Sequence, residues 1–113
     1  MEPRMRVFIC DDTGSRFFGE GPCRLLHAIE ETGSLRGAAI SMNMAYTKAL
    51  ALIRHAQDSL GFALTETTIG GRGGGGSRLT PQAKEFIKRY EEYRDACYQA
   101  NLRIYHEVFP EQR

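Results

Sequence analysis

The residues best suited to chemistry in this chain are basic and sit beside glycines. Gly70-Gly71-Arg72-Gly73-Gly74-Gly75-Gly76-Ser77-Arg78 holds six of the twelve glycines. A backbone without Cβ atoms approaches a phosphate closely. Arg72 and Arg78 can reach phosphate oxygens or a minor groove, with Ser77 between them. Upstream, Tyr46, Thr47 and Lys48 open a run in which exposed polar residues, Arg54 among them, alternate with Leu50, Ile53 and Leu60. Side chains of these types read base edges and phosphates. Bond-breaking chemistry has no such support. His27, His55 and His106 fall in three different helical segments, with no nucleophile motif near them. Asp11-Asp12 is simple turn chemistry, so an enzyme is not expected. His27 has no second ligand at i+4. Cys10, Cys23 and Cys97 form neither a Cys-x-x-Cys pair nor a Cys/His cluster, so no metal and no cofactor is expected.

These side chains need rigid elements to position them. Residues 33–50 read as a helix, a tight turn and a second helix. Ser34, also a candidate DNA contact, caps the first helix, which runs over about 34–42. Ala38 and Ala39 let a neighbour approach closely, and Asn43-Met44 supplies the turn. The second helix runs over about 45–60 and stops at Gly61. That is the outline of a helix-turn-helix, whose second helix lies in the DNA major groove. Residues 62–69 are β-prone. With the glycine-rich loop and Leu79-Thr80, they make a basic wing just after the recognition helix. The loop could also be a linker, but it is short and its flanks look structured. A nucleotide-binding loop would need a Gly-Lys-Ser/Thr ending, which is missing. A single Arg-Gly step is thin support for an RNA-binding segment.

On either side lie supporting elements. Residues 5–10 favour a strand, Asp11-Asp12-Thr13-Gly14 a turn, and residues 16–19 a returning strand. A helix opens at Gly21-Pro22, carries Leu25, Leu26, Ala28 and Ile29 on one stripe, and ends at Gly33. Thr80 caps the longest helix, over about 81–108, with Pro81 in its first turn and Pro110 beyond its end. Ala83, Phe86, Tyr90, Tyr93, Cys97, Ala100 and Ile104 recur at alternating intervals of three and four, a heptad seam. Phe86 through Ile104 are the expected dimer contacts, and the first half of the seam can pack within its own domain.

The chain has 113 residues, a net charge of +1 and ordinary globular composition, with 42 % hydrophobic residues. A DNA footprint must therefore be local. No apolar run is long enough for a membrane span or a signal peptide, and three free cysteines suit a reducing compartment, so a cytoplasmic location is expected. The fold class is mainly α with small β elements. It comprises an N-terminal β-hairpin (1–20), a winged helix-turn-helix (21–80) and a long C-terminal dimerisation helix (81–113).

Three stretches carry a resemblance over about residues 21–90. They are Leu25-Leu26-x-Ala28-Ile29-x-x-Thr32-Gly33-Ser34-Leu35-x-x-Ala38-Ala39, Met44-x-Tyr46-x-x-Ala49, and Gly70-Gly71-Arg72-Gly73-Gly74-Gly75-Gly76-Ser77-x-Leu79-Thr80. The chain resembles the N-terminal DNA-binding domain of the ModE family, molybdate-responsive regulators whose winged helix-turn-helix is related to that of LysR-type regulators. The resemblance implies a symmetric dimer on double-stranded DNA. It places DNA-reading positions at Ala45, Tyr46, Thr47, Lys48, Arg72 and Arg78. Two positions depart from the family pattern: Ala45 stands where a serine is usual, and Thr47 where a basic residue is common. Full-length ModE binds molybdate through C-terminal domains. This chain ends at Arg113, so no molybdate binding is expected of it.

The expected mechanism uses two chains paired through the long helix. Tyr46, Thr47 and Lys48 sit nearest the bases, and Arg36 and Arg54 lie on flanking phosphates. The other reading is a winged-helix protein-interaction or assembly module without specific DNA binding, which near-neutral charge and the missing serine favour.

Overall fold

The computed structural model describes residues 1–69 and 76–112. Two short strands, β1 (Ile9–Cys10) and β2 (Arg16–Phe18), precede three helices, α1 (Glu20–Thr32), α2 (Leu35–Ser41) and α3 (Tyr46–Leu60). A second strand pair, β3 (Thr65–Thr68) and β4 (Gly76–Leu79), leads into α4 (Pro81–Val108), and a turn of 3-10 helix spans Pro110–Gln112. Both strand pairs are antiparallel. No described helix is long and apolar enough to cross a membrane.

The N-terminal hairpin forms, but it is shorter than the sequence suggests. Strand pairing begins at Ile9 because the preceding backbone is engaged elsewhere: the Tyr90 hydroxyl of α4 donates to the Val7 carbonyl at 2.7 Å. The turn is built on Asp11, whose carboxylate accepts the Thr13 hydroxyl and the amides of Thr13 and Ser15. Those bonds, the Thr13 hydroxyl foremost, hold the Asp11 carboxyl below its usual range. Phe18 points inward and is fully buried. Its ring meets Phe86 edge-on at 4.7 Å and Tyr90 at 5.0 Å, a favoured aromatic geometry.

The helix stripes close over this cluster. Cys23, Leu25, Leu26, Ala28 and Ile29 of α1 are buried, as are Ala38 and Ala39 of α2. The small side chains of α2 let it lie close against its neighbours. Of the three apolar residues of α3 expected to face the core, Ile53 and Leu60 do and Leu50 does not. Ala49, Ile53 and Ala56 are its buried residues, with Leu52 and Leu60 packed beside them, while Leu50 is half-buried outside the core. Leu64 and Leu79 carry the wing's contribution to the core.

Thr80 joins the wing to α4. Its hydroxyl donates to the Ala63 carbonyl at 2.7 Å and accepts the Ala83 amide at 3.1 Å, capping α4. Its own amide donates to the Leu64 carbonyl at 3.0 Å. The helix axis is thereby fixed to the wing base at its first turn. The first three turns of α4 are packed within the domain, through Ala83, Phe86, Ile87 and Tyr90. Arg94 then forms an ion pair back to Glu20 in the first turn of α1 at 3.2 Å.

Because Phe18 fills the junction of hairpin, α1 and α4, truncating it leaves a cavity where α4 packs on the start of the chain. Urea unfolding of Phe18→Ala is expected to show a loss of about 3–5 kcal/mol.

Candidate nucleic-acid interface

The interface is assembled around the end of α1. Gly33 terminates that helix with φ 81°, and its amide closes onto the Ile29 carbonyl at 2.8 Å. Only glycine takes this left-handed cap without a Cβ penalty. Ser34 follows in extended conformation and caps α2, its hydroxyl accepting the Gly37 amide at 2.8 Å. The Gly33 carbonyl then accepts the Ser77 amide of β4 at 2.8 Å. The next constraint is steric: a Cβ on Gly76 would lie 2.5 Å from the Gly33 oxygen and 2.8 Å from Thr68 Oγ1. The wing docks on the helix-turn-helix because residue 76 has no side chain. Ser34 and Ser77, both expected at the interface, are brought together here.

The turn between α2 and α3 uses Asn43 with φ 52°. Asparagine tolerates this region better than most residues. The Met44 amide donates to the Ala39 carbonyl at 2.8 Å, tying the turn back onto α2. Helix α3 then begins at Ala45, an extended N-cap residue that makes no side-chain cap. The first-turn amides of α3 therefore lack the hydroxyl partner that Ser34 and Thr80 give their own helices.

Tyr46, Thr47, Lys48 and Arg54 are exposed on α3, whose buried residues are Ala49, Ile53 and Ala56. Arg36 is not free: its guanidinium lies 4.6 Å over the Tyr46 ring, a cation–π contact that bridges α2 and α3. Arg78 is also engaged. Its Nε donates to Glu66 Oε1 at 2.8 Å, across the β3–β4 pair where Glu66 faces Arg78. That exposed pair adds little stability, and it offsets one of the two wing charges. Arg72, with the rest of residues 70–75, lies outside the described residues.

The structure adds residues that the sequence does not single out. Lys48 borders a cleft of about 580 Å³ between the hairpin and α3, together with Arg6, Arg16, Arg24 and His55. His55 Nε2 lies 3.1 Å from the Arg16 carbonyl and 3.3 Å from Ser15 Oγ, which fastens the hairpin to the outer side of α3. Arg16 in turn stacks over Phe8 at 4.0 Å. Some forty positions separate His55 from its partners, so nothing local signals the contact.

The start of the heptad seam packs within its own domain, as the sequence allows. Tyr90 is buried, with its hydroxyl spent on Val7, and desolvation pushes its phenol up to about 12. Phe86 is packed on Phe18, and Cys97 lies half-buried against the core. Three expected contacts are therefore committed within the domain. Further along α4, Tyr93 is 56 % exposed and Ile104 52 %, with Leu102 and Val108 also exposed outside the heptad spacing.

The sequence excludes a Cys/His cluster, but the fold makes one. Cys23 lies four residues before His27 on α1, and Glu91 of α4 reaches the same point.

Helix-turn-helix, wing and capping long helix together define a winged helix-turn-helix fold of the DNA-binding type. Comparison with known proteins narrows the class. The chain is 43 % identical over 77 residues to the molybdenum transport protein ModE of Herbaspirillum seropedicae, a match over 68 % of this chain and 27 % of that protein. It is 32 % identical over 85 residues to the molybdenum-pterin-binding protein MopB of Rhodobacter capsulatus, over 75 % of this chain and 31 % of that one. The chain thus spans less than a third of either relative. Its backbone superposes on the protein of the CbnR_DBD–DNA complex crystal structure with a TM-score of 0.58 at 16 % identity, covering 78 % of this chain and 95 % of that one. At that identity the likeness is one of fold. No family model matches the chain. The protein carries a ModE-like winged-helix domain.

The uncapped start of α3 yields a direct expectation. Ala45 already has the backbone of an N-cap, so Ala45→Ser should supply the missing acceptor and raise stability by about 0.5–2 kcal/mol. Thermal unfolding of the two proteins checks it.

Proposed function

We propose that this protein is a sequence-specific DNA-binding transcription regulator that acts as a homodimer. Helix α3 enters the major groove, and the wing lies on the backbone or in the minor groove. The observation that carries the reading is the free polar side of α3. Tyr46, Thr47, Lys48 and Arg54 are exposed, on a helix held to the core by Ala49, Ile53 and Ala56. A rigid helix with an unburied polar edge at its N-terminal turn is the device by which this class of fold reads base edges.

Within that reading the residues divide by role. Lys48 and Thr47 read bases, Tyr46 packs on a base or sugar with Arg36 held against its ring, and Arg54 binds a phosphate. Ser34, Ser77 and Arg78 contact the backbone near the wing, with Arg78 exchanging Glu66 for a phosphate oxygen. Arg6, Arg16 and Arg24 lie around the Lys48 cleft and add positive potential beside the reading helix. The cation–π contact at Tyr46 fixes the ring before DNA arrives, so less side-chain freedom is lost on binding.

The second half of α4 supports the dimer. Tyr93, Ala100 and Ile104 lie on a helical stripe that the domain itself leaves uncovered at Tyr93 and Ile104. Pairing of two such stripes would set two reading helices on half-sites about 34–36 Å apart, or a multiple of that spacing. No molybdate site is proposed for this chain.

Selection from a pool of random duplexes at two salt concentrations tests the function. A near-palindromic motif, with affinity falling steeply in salt, is the expected outcome. Lys48→Ala should then weaken binding to the selected site by about 1–3 kcal/mol and relax one position of the motif. Retained affinity would remove α3 from the interface. Salt-sensitive binding without any motif would favour the protein-interaction module instead. Sedimentation of Tyr93→Asp/Ile104→Asp tests the pairing separately: the wild type should sediment as a dimer and the double variant as a monomer.

A further inference from the structure

One cluster of ligating side chains has no part in DNA reading. Cys23 and His27 stand one turn apart on α1, and Glu91 faces them from α4. One ligand atom from each lies within 4.8 Å of the other two. His27 Nε2 and Glu91 Oε2 are 3.2 Å apart. With metal–ligand bonds of about 2.0–2.3 Å, tetrahedral ligand atoms stand roughly 3.3–3.8 Å from one another. Small side-chain rotations bring this set into that range, and Cys23 and His27 already project from one side of α1.

We propose that Cys23, His27 and Glu91 form a binding site for a divalent transition ion of the Zn²⁺ type, which clips α1 to α4. A thiolate, an imidazole and a carboxylate are the ligands such an ion of borderline softness takes. Thiolate and carboxylate together neutralise its two charges. His27 is exposed and Glu91 partly so, while Cys23 is buried beneath them. The ion therefore enters from solvent, takes the thiol from below, and keeps its fourth position for water. Binding forms the metal–sulfur bond as the Cys23 proton leaves to solvent.

The Glu91 carboxylate stands within the cluster itself, so a cation there meets a negative partner. Arg94 is the competitor, with Nη2 3.9 Å from Glu91 Oε2. It keeps nearer partners in Glu20 at 3.2 Å and Asp95 at 2.9 Å, so Glu91 can turn to the metal without leaving Arg94 unpaired. The site is independent of the DNA-binding reading and survives its failure.

Titration of the full, reduced, chelator-treated chain with Co²⁺ tests the site. The expected result is one equivalent bound, with a thiolate-to-cobalt charge-transfer band and intense tetrahedral d–d bands, both displaced by Zn²⁺. Cys23→Ser should lose the charge-transfer band, whereas Cys10→Ser/Cys97→Ser should keep it. Cys23 is part of the core, so His27→Gln and Glu91→Gln supply variants that leave the fold intact by circular dichroism. Each should weaken Co²⁺ binding at least tenfold. No thiolate band, a band that depends on Cys10 or Cys97, or unchanged affinity in His27→Gln would overturn the proposal.

Discussion

A single backbone junction governs this domain: the Gly33 carbonyl receives the Ser77 amide while Gly76 passes close beside it. Gly33 ends α1, sets the direction of α2 through the Ser34 cap, and anchors the wing strand. Three elements thus meet at one peptide unit. Neither strand of the wing is long, and a two-stranded ribbon is marginal by itself. Its order comes from this junction, from Leu64 and Leu79 in the core, and from Thr80 at its far end. The helix-turn-helix and the wing therefore behave as one surface rather than two.

Charge is distributed locally on this nearly neutral protein. Several acidic groups have basic or local partners: Glu20 and Asp95 on Arg94, Glu66 on Arg78, and Asp11 on its own turn. Lys48 and Arg54 have no carboxylate partner among the described residues. The interior shows the same economy of polar groups. Thr80 is the one buried polar residue among those described, and its hydroxyl both donates and accepts.

Features written in local chemistry were legible in the sequence. The caps at Ser34 and Thr80, the stop at Gly33, the Pro81 start and the β-prone flanks of the wing are each set by a few adjacent residues. Features that depend on distant partners were not. The register of α3 was misread at Leu50 because two of its three buried residues are alanines, which leave little mark in a hydrophobic pattern. Tyr90 fits a heptad seam, yet its hydroxyl is claimed by Val7, and no spacing rule reveals a bond across 83 positions. Arg36 and Arg78 read as free cations because their partners, Tyr46 and Glu66, follow from tertiary pairing. Cys23 and His27 were visible as a four-residue pair only when read backwards from the histidine, and Glu91 could not be seen at all. The proposed DNA contacts on α3 came from pattern and resemblance together, and Tyr46, Thr47 and Lys48 are exposed there.

The first residues do not trail away from the domain. They run along α4, where the Tyr105 hydroxyl donates to the Met1 carbonyl at 3.2 Å. Residues 104 positions apart thus become neighbours. Tyr105 sits near the far end of a helix whose start is fixed to the wing, some 36 Å away at 1.5 Å per residue. A fusion partner or label joined at the N-terminus would emerge beside the C-terminal end of α4, at the tip most remote from the wing base. Attachments at Met1 and at the end of α4 would crowd one another.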